Sequence, residues 1–338
     1  MKQNLAIISN EKTSNNNYEF FCDNIDMKSI PEGLNKDFNI NLFVRSSKIQ
    51  RSTHKINLKK IIISKNIFSY FKNVIKTKNL FDKYLIISLS PYTFLISLLL
   101  LILRKKIYLY LRSNGYEEYK CYSKLFGPLV YHFMFSLSSY YSSLIACRSH
   151  ILKGKNGFTV SPSQLNEKWF ANRKPANLKK INLLYVGRIK IEKGVFSLLE
   201  ILNKVNLDFN LSIINSEITH DKNLENKKIK IINYKNKDDS ILNIYDEHNI
   251  FILPSFTEGH PQVLDESLSR LRPVIIFPEI SHTVRNRSGV LISDRNPESL
   301  SKNIQNILRD YKNLQNKMME NKLPTKKSFL NEITDIIK

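Results

Sequence analysis

The feature that most constrains the fold is the alternation of short apolar runs with longer amphipathic stretches along the whole chain. In the first half, strands are predicted at 5–8, 39–44, 61–63, 84–89, 107–111 and 143–146, with helices that include 67–75 and 91–103. In the second half, strands are predicted at 181–186, 209–214, 228–233, 250–254, 273–277 and 290–292, with helices at 195–205, 238–248, 261–271 and 297–311. Such alternation is typical of βαβ units and parallel sheets, so the predicted fold class is α/β.

The alternation falls into two blocks, and a polar stretch that contains Pro162 and Pro175 separates them. A chain of 338 residues has room for about two domains. We therefore predict an N-terminal domain over 1–160, a linker over 161–180 and a C-terminal domain over 181–324. The last residues, 325–338, are predicted as a helix that packs back on the N-terminal domain. Two doubly wound domains of this kind would face a cleft, with ligands at the carboxyl ends of the strands.

The charge and the cysteines narrow the class of protein further. A net charge of +22 favours anionic partners, although the abundance of Lys, Asn and Ile could equally reflect AT-rich codons. The cysteines, Cys22, Cys121 and Cys147, have no zinc-ligand spacing and indicate a reducing compartment. The apolar run at 5–8 is too short for a signal-peptide core. A cytoplasmic protein is therefore expected.

Two uncharged stretches, 85–103 and 128–147, are nominally long enough to span a bilayer. The first divides into a β-rich run and a helix that starts at Ser90-Pro91, a helix-start signal. The run at 107–111 then alternates Ile, Tyr and Leu, as a strand would. A strand–helix–strand unit explains this region, and no membrane span is predicted.

A basic turn follows the predicted strand 181–186 and reads Gly187-Arg188-Ile189-Lys190-Ile191-Glu192-Lys193-Gly194. Glycine lets the backbone approach a ligand closely. The guanidinium of Arg188 offers a planar fork to phosphate oxygens, and the Lys193 ammonium offers a compact point charge. The turn is a candidate phosphate cradle, but an ordinary basic βα turn would look the same.

A second polar turn follows the strand 250–254 and reads Ser255-Phe256-Thr257-Glu258-Gly259-His260-Pro261, opening a helix that carries Glu266. Free N–H groups and the positive dipole end at a helix start suit a diphosphate. Carboxylates such as Glu258 and Glu266 can accept hydrogen bonds from sugar hydroxyls. The alternative is a surface helix whose acidic side chains are merely solvated.

Taken together, these motifs resemble the retaining glycosyltransferases of family 4, also described as glycosyl transferases group 1, which have the GT-B fold. The matching residues are Gly187-Arg188 with Lys193-Gly194, Glu258-Gly259-His260-Pro261 to Glu266, and Pro273-Val274-Ile275. The resemblance implies two Rossmann-like domains: an N-terminal acceptor-binding domain and a C-terminal domain that binds a nucleotide sugar.

The resemblance also implies roles for individual residues. Arg188 and Lys193 would bind the donor diphosphate, Glu258 would contact the transferred sugar, and Glu266 would hold the ribose. We therefore take Glu258, Arg188 and Lys193 as the candidate catalytic residues. The candidate donor-binding residues are Gly187, Arg188, Lys193, Gly259, His260 and Glu266.

The chain departs from the family pattern at several positions. Leu271 stands where most members have glycine, and the turn Asn215-Ser216-Glu217 lacks the usual glycines. The polar segment 10–17, where a glycine-rich loop often meets the donor, is also free of glycine. The acceptor side can be placed only provisionally at the strand-end turn that contains Arg112 and Asn114, which could also be an ordinary turn.

The expected reaction is hexosyl transfer from a UDP- or GDP-sugar to a glycan or lipid-linked acceptor, with retention, in cell-surface polysaccharide or lipopolysaccharide synthesis. The sequence has no Asp-x-Asp and no clustered metal ligands, so no cofactor and no metal are expected. Arg188, Lys193 and helix N–H groups would neutralise the departing nucleoside diphosphate instead.

The stretch 45–83 is rich in Lys and Arg and contains one acid, Asp82. Its segment 67–75 is predicted as an amphipathic basic helix, which would suit an anionic membrane surface at the inner face of the membrane. A solvated helix with its apolar side in the core is the alternative.

Two other functions stay open: a GT-B protein that binds sugar nucleotides without turnover, and a nucleic-acid-binding protein. No nucleic-acid motif supports the second, so no nucleic-acid partner is expected.

Overall fold

The computed structural model describes residues 2–16, 19–50, 54–215, 226–233 and 238–338. It divides into two units: Met1–Pro162 with Lys327–Lys338, and Ser163–Lys326. The segment predicted as a linker, 161–180, therefore lies mostly inside the second unit. The final helix, predicted over 325–338, spans Lys326–Ile337 and is counted almost entirely with the first unit.

The first unit is built on a mainly parallel sheet. Its strands are β1 (Gln3–Asn16), β2 (Glu19–Cys22), β3 (Phe38–Ser47), β4 (His54–Lys55), β5 (Ile61–Ser64), β6 (Lys83–Ile87), β7 (Lys106–Leu111), β8 (Ser143–Ala146) and β9 (Gly157–Thr159). The parallel strands run in the order β5-β3-β1-β6-β7-β8-β9. The order reverses between β1 and β6, which is the switch point where doubly wound sheets bind ligands.

The first strand is longer than the sequence predicted. Its apolar part pairs in parallel with β3 and β6, and its polar end pairs antiparallel with β2, as in Thr13 opposite Cys22. A register shift between Ile8 and Lys12 separates the two parts along β3. The polar segment 10–16 is thus strand, at the place where the family resemblance puts a glycine-rich loop.

Helices cover both faces of this sheet. They are α1 (Asp26–Leu34), α2 (Ile67–Thr77), α3 (Pro91–Ile102), α4 (Gly115–Tyr122), α5 (Phe126–Tyr141) and, from the chain end, α12 (Lys326–Ile337). One core cluster lies under α2, α3 and α5, and the other lies under α1 and α12. Phe329, Ile333 and Ile337 of α12 are fully buried in the second cluster, so the chain end completes the first unit.

The second unit has an all-parallel sheet of β10 (Ile181–Val186), β11 (Phe209–Asn215), β12 (Ile229–Asn233), β13 (Ile250–Leu253), β14 (Val274–Ile276) and β15 (Val290–Ile292). The strands lie in the order β12-β11-β10-β13-β14-β15. Numbered along the unit this is 3-2-1-4-5-6, the order of dinucleotide-binding Rossmann folds. The sheet reverses between β10 and β13, and a ligand site is expected at that point.

The helices of the second unit are α6 (Glu167–Phe170), α7 (Val195–Leu202), α8 (Asp238–Glu247), α9 (Gln262–Ser269), α10 (Pro297–Arg309) and α11 (Tyr311–Met319). Leu183 and Ile213 face one core, while Leu184 and Ile214 face the other. This division follows from the strand period of two residues, which points successive side chains to opposite faces of the sheet.

A buried ionic cluster fixes the segment before β10. Arg270 donates to Asp246 Oδ2 at 2.6 Å and to the carbonyls of Trp169, Ala171 and Asn172 at 3.0, 2.7 and 3.0 Å. Arg272 donates to the carbonyl of Lys174 at 2.9 Å. Because both guanidinium groups are buried, nearly all of their N–H groups must find acceptors inside the protein.

Neither uncharged stretch forms a spanning segment. Residues 85–103 divide between β6 and α3, and 128–147 divide between α5 and β8. Within the described ranges, no helix combines the length and the apolar character needed to cross a bilayer.

Candidate functional site

The two motif turns lie side by side at the switch point of the second unit. Strand β10 pairs in parallel with β13, with Leu183 opposite Ile250, so the loops that follow these strands leave the same edge of the sheet. The backbone N–H of Phe256 donates to the carbonyl of Glu192 at 3.0 Å and joins the loops directly. Turns that are more than sixty positions apart in sequence thus form one site.

Lys193 and Glu258 meet across this junction. Lys193 Nζ lies 2.6 Å from Glu258 Oε1, and Ser255 Oγ donates to the same oxygen at 2.7 Å. The two side chains are 23% and 12% exposed, so the ion pair is partly accessible to solvent rather than buried in the core. His282 Nε2 contacts the Glu258 carbonyl at 2.9 Å and holds the backbone of the loop.

Gly194 makes this close approach of the loops possible. Its φ of +68° lies in the left-handed region, and a Cβ atom there would lie 1.9 Å from the carbonyl oxygen of Pro254. Only glycine fits both conditions without displacing backbone. The glycine that the motif placed after Lys193 therefore sets the distance between the two loops.

Gly187 and Arg188 form the other half of the first turn. The Gly187 N–H donates to the Ile214 carbonyl at 3.0 Å, and a Cβ atom at this position would lie 2.6 Å from the Tyr185 hydroxyl. That hydroxyl donates to the Arg188 carbonyl at 2.9 Å, while the Arg188 side chain is exposed. The turn is thus fixed through its backbone, and its guanidinium extends from the surface at the strand end.

Helix α9 starts directly after the second turn. Pro261 is its N-cap residue, one position earlier than the first-turn place predicted for it, and no side chain caps the helix. The partly exposed Gly259 precedes it. The positive dipole end of α9 therefore lies directly after the turn that carries Glu258.

The side chain of His260 is buried beside α9. Its side chain is 2% exposed, and Nε2 lies 3.0 Å from Asp265 Oδ2, while Asp265 is also paired with Arg287. The imidazole is turned into the protein, so its observed contacts anchor the loop to α9 and to Arg287. Sequence reasoning missed Asp265 and Arg287 because they lack a motif of their own.

Glu266 is half-buried on α9, and its Oε2 accepts a hydrogen bond from the Tyr245 hydroxyl at 2.8 Å. Burial raises the pKa of this carboxyl to about 7, although the Tyr245 hydrogen bond opposes the rise. Tyr245 is fully buried, so its hydroxyl fixes the direction of the carboxyl group. Sequence reasoning did not identify Tyr245 as this partner.

The raised pKa of Glu266 predicts a pH-dependent stability. In the folded protein Glu266 keeps its proton up to about pH 7, whereas in the unfolded chain it loses the proton near the ordinary pKa of 4.5. The stabilising contribution of Glu266 to the unfolding free energy is therefore present at low pH and is lost as pH rises through 7. Between about pH 5 and about pH 8, wild type should lose about 1–3 kcal/mol of unfolding free energy relative to Glu266→Gln. Urea titrations at both values measure this difference. Parallel pH profiles for the two proteins would contradict it.

Two departures from the family pattern have different outcomes. Leu271 has a φ of +56°, so it occupies the left-handed conformation that glycine adopts without strain, which explains the preference for glycine at this position. Asn215 ends β11 and is fully buried, while Ser216 and Glu217 lie outside the described residues.

The provisional acceptor residues of the first unit have separate roles. Asn114 is the N-cap of α4, and its side chain accepts from the Tyr116 N–H at 3.2 Å, which is a structural contact. Arg112 lies at the end of β7, with Nη1 3.6 Å from Asp26 Oδ2, and it lines a cavity. The turn therefore supplies one candidate ligand contact, Arg112.

The described part of the chain contains no group of three or more His, Cys, Asp or Glu side chains arranged to hold a metal ion. Arg188, Lys193 and Glu258 lie at the switch point, and Arg295 Nη2 donates to the Pro254 carbonyl there at 2.7 Å. This arrangement can bind a diphosphate through its cations and can accept hydroxyl hydrogens through its carboxylate.

Residues 167–323 match the family model of the glycosyl transferases group 1. An uncharacterized glycosyltransferase from Haemophilus influenzae is 29% identical over 149 residues, which are 40% of this chain and 42% of that protein. The chain thus spans less than half the length of the curated relative that it matches.

Solved structures resemble the whole chain. Sucrose-phosphate synthase from Thermosynechococcus elongatus has a TM-score of 0.72 at 15% identity, covering 99% of this chain and 98% of its own. WaaG, a glycosyltransferase involved in lipopolysaccharide biosynthesis, has a TM-score of 0.66 at 13% identity, covering 98% and 99%. Anabaena HepE in complex with UDP and glucose has a TM-score of 0.67 at 9% identity, covering 99% and 95%.

These structural similarities confirm the predicted α/β class with two Rossmann-like units. At identities of 15% or less they show the fold alone. The family match covers the unit in which Lys193 meets Glu258. The chain therefore has the GT-B fold, and its residues 167–323 match the glycosyl transferases group 1 family model.

Proposed function

We propose that the protein is a retaining hexosyltransferase of family 4 that uses a UDP- or GDP-sugar as donor. The observation that carries the proposal is the ion pair between Lys193 and Glu258 at the switch point of a group 1 domain. Donor diphosphate would bind at Arg188, Lys193 and the start of α9, and Glu258 would face the transferred sugar. That HepE was solved with UDP and glucose supports a nucleotide-sugar donor.

The chemistry follows from where charge develops. As the bond from sugar to diphosphate breaks, negative charge grows on the leaving group and positive charge grows on the sugar. Arg188, Lys193 and the α9 N–H groups would stabilise the first, and the Glu258 carboxylate would stabilise the second. Retention is proposed from the motif resemblance, and no enzyme nucleophile is assigned.

The first test is nucleotide binding. Thermal shift and calorimetry with UDP, GDP and single-stranded DNA should show stabilisation by one of the nucleoside diphosphates and none by DNA. A donor screen with mass detection then identifies the sugar that is transferred. Stabilisation by DNA alone would contradict the proposal, and diphosphate binding without turnover would indicate a binding protein.

Replacing Arg188 or Lys193 with alanine should weaken nucleotide binding while the fold survives. Each change removes one charge-assisted contact to the diphosphate, which is worth about 1.5–3 kcal/mol, or about 10- to 150-fold in Kd. Isothermal titration with UDP or GDP measures the change. Lys190→Ala, in the same loop but outside the candidate site residues, is the matched control and should leave Kd within about twofold. Unchanged titrations for both site variants would contradict the phosphate assignment.

Transfer should also survive chelation, because Arg188, Lys193 and the start of α9 already provide positive partners for the diphosphate. We expect initial rates with and without EDTA to agree within about twofold. Loss of activity on chelation that magnesium or manganese restores would show that a metal takes part.

For the acceptor, we propose a glycan or lipid-linked substrate bound by the first unit, in cell-surface polysaccharide or lipopolysaccharide synthesis at the inner face of the membrane. The involvement of WaaG in lipopolysaccharide biosynthesis supports this choice of acceptor.

The basic helix α2 forms as predicted. Tyr70 and Val74 are buried, whereas Phe68 and Ile75 are 81% and 45% exposed beside Lys72 and Lys76. Its contact with a membrane stays a prediction.

A further inference from the structure

An uncharged apolar surface of the first unit lies on α5. Its exposed residues, here called the α5 stripe, are Phe126, Leu129, Val130, Phe133, Leu137 and Tyr140. At 3.6 residues per turn these positions fall on one face, and α5 contains no Lys, Arg, Asp or Glu. Contiguous exposed apolar surface of this kind marks a binding site more often than it marks ordinary surface.

The orientation of the stripe is fixed by the opposite face of the helix. Tyr131, Met134 and Phe135 are buried in the core beneath α5. Beside it, Ser97 of α3 hydrogen-bonds with Tyr141 at 2.7 Å, and the Phe94 and Phe133 rings lie 5.8 Å apart. The end of α3 adds exposed apolar surface at Leu101 and Ile102, which are 42% and 77% exposed.

The start of the stripe forms one wall of a cavity in the same unit. The cavity has a volume of about 670 Å³ and lies at the carboxyl ends of β6 and β7. Phe126 and Val130 belong both to the cavity wall and to the stripe, and the 86% exposed Tyr122 stands beside them. An apolar path therefore leads from the cavity onto the open face of α5.

Charged side chains also line the cavity. They are Glu11, Arg112 and Glu118. Glu11 accepts the N–H groups of Asp23 and Asn24 at 3.0 and 3.1 Å, and burial raises the pKa of its carboxyl. Arg112 Nε is buried and has no hydrogen-bond partner among the described residues. Such side chains can form hydrogen bonds with a ligand group that carries hydroxyls or phosphate. A hydrocarbon chain in their place would remove them from water without offering any hydrogen bond, which is unfavourable.

We propose that the acceptor is a membrane amphiphile, whose sugar or phosphosugar head occupies this cavity and whose hydrocarbon tail leaves along the α5 stripe into the bilayer. This inference rests on the proposed function, in which the first unit binds the acceptor. A cavity lined by both charged and apolar side chains, and continuous with an uncharged helix face, matches an amphiphile rather than a free glycan. Exposed Lys120 and Lys124 precede α5, and Arg104 and Lys106 follow α3, as expected beside anionic headgroups.

Vesicle binding tests the stripe. Wild type should sediment with vesicles of phosphatidylcholine and phosphatidylglycerol, and Leu129→Gln/Leu137→Gln should reduce partitioning at least about tenfold. The matched control is Phe158→Gln/Met319→Gln, which removes exposed apolar side chains that lie outside both α2 and α5 and should change partitioning less than about twofold. Thermal unfolding checks that both variants fold. Equal binding by wild type and the α5 variant, or equal loss in the control variant, would overturn the proposal.

Amphiphile binding tests the cavity. Below its critical micelle concentration, dodecyl maltoside should raise the melting temperature of wild type, and maltose at the same concentration should not. Val130→Trp, which narrows the shared wall, should abolish the shift while leaving UDP and GDP titrations unchanged. Equal shifts with maltose, or a shift that survives Val130→Trp, would overturn the inference. If the amphiphile binds and no nucleotide does, the proposed function fails instead.

Discussion

Replacing Glu258 with glutamine is expected to lower turnover by about 10²–10³-fold at saturating donor. Glutamine keeps the size of the side chain but removes the negative charge that would face the developing positive sugar. The effect should fall on kcat and much less on the donor KM, because an interaction that strengthens in the transition state contributes little to ground-state binding. Steady-state kinetics over a range of donor concentrations separate the two constants.

Two variants serve as controls for Glu258→Gln. Ser255→Ala removes the hydroxyl that donates to Glu258 Oε1 at 2.7 Å but keeps the carboxylate, so it should reduce turnover by about tenfold or less. Glu266→Gln should mainly raise the donor KM, since the ribose contact would be the same in ground and transition states. Near-normal turnover for Glu258→Gln would refute the site assignment, and unfolding of both glutamate variants would make them structural carboxylates.

Replacing Gly194 with alanine is expected to lower the unfolding free energy of the second unit by more than about 2 kcal/mol and to abolish transfer. Alanine is strained at a φ of +68°, and its Cβ would lie 1.9 Å from the Pro254 carbonyl oxygen. The loop must therefore move away from β13, and Lys193 moves with it. Urea unfolding and nucleotide titration measure the two consequences.

Gly154 provides the matched control for this clash. It has a similar φ of +77°, but nothing lies within 4 Å of a Cβ atom built there. Gly154→Ala should therefore show only the backbone cost of about 1–2 kcal/mol. If the two alanine variants lose equal stability and Gly194→Ala keeps nucleotide affinity, the close approach of the loops does not position Lys193.

The sequence predicted the parallel strands well, because strands buried on both faces appear as continuous apolar runs. The boundaries of β8, β10 and β15 agree residue for residue with the predictions. The antiparallel pairing of β1 with β2 was missed because the end of β1 that takes part in it is polar and because β2 is only four residues long. The exposed face of α5 was missed because α5 carries no charged side chain. An uncharged helix normally indicates burial, and its exposed face can be recognised only when the neighbouring elements are known.

The candidate site was predicted in its parts but not in its assembly. Both turns were identified from their residues, yet the pairing of Lys193 with Glu258 depends on β10 and β13 being neighbours in the sheet. Alternation along the chain does not specify that order. The contact of the His260 ring with Asp265 inside the protein was also not predictable from the motif, and donor binding by His260 stays a prediction.

The cluster around Arg270 and Arg272 determines where an isolated second unit can begin. A truncated chain that starts at Ile181 would begin with β10, the first strand of the unit. It would lack the carbonyls that accept from the two arginines, which are those of Trp169, Ala171, Asn172 and Lys174. Two cations would then remain beside Asp246 with N–H groups that have lost their acceptors, a change that destabilises buried ion pairs strongly. An independently expressed unit should therefore start near Ser163, ahead of every carbonyl that these guanidinium groups use.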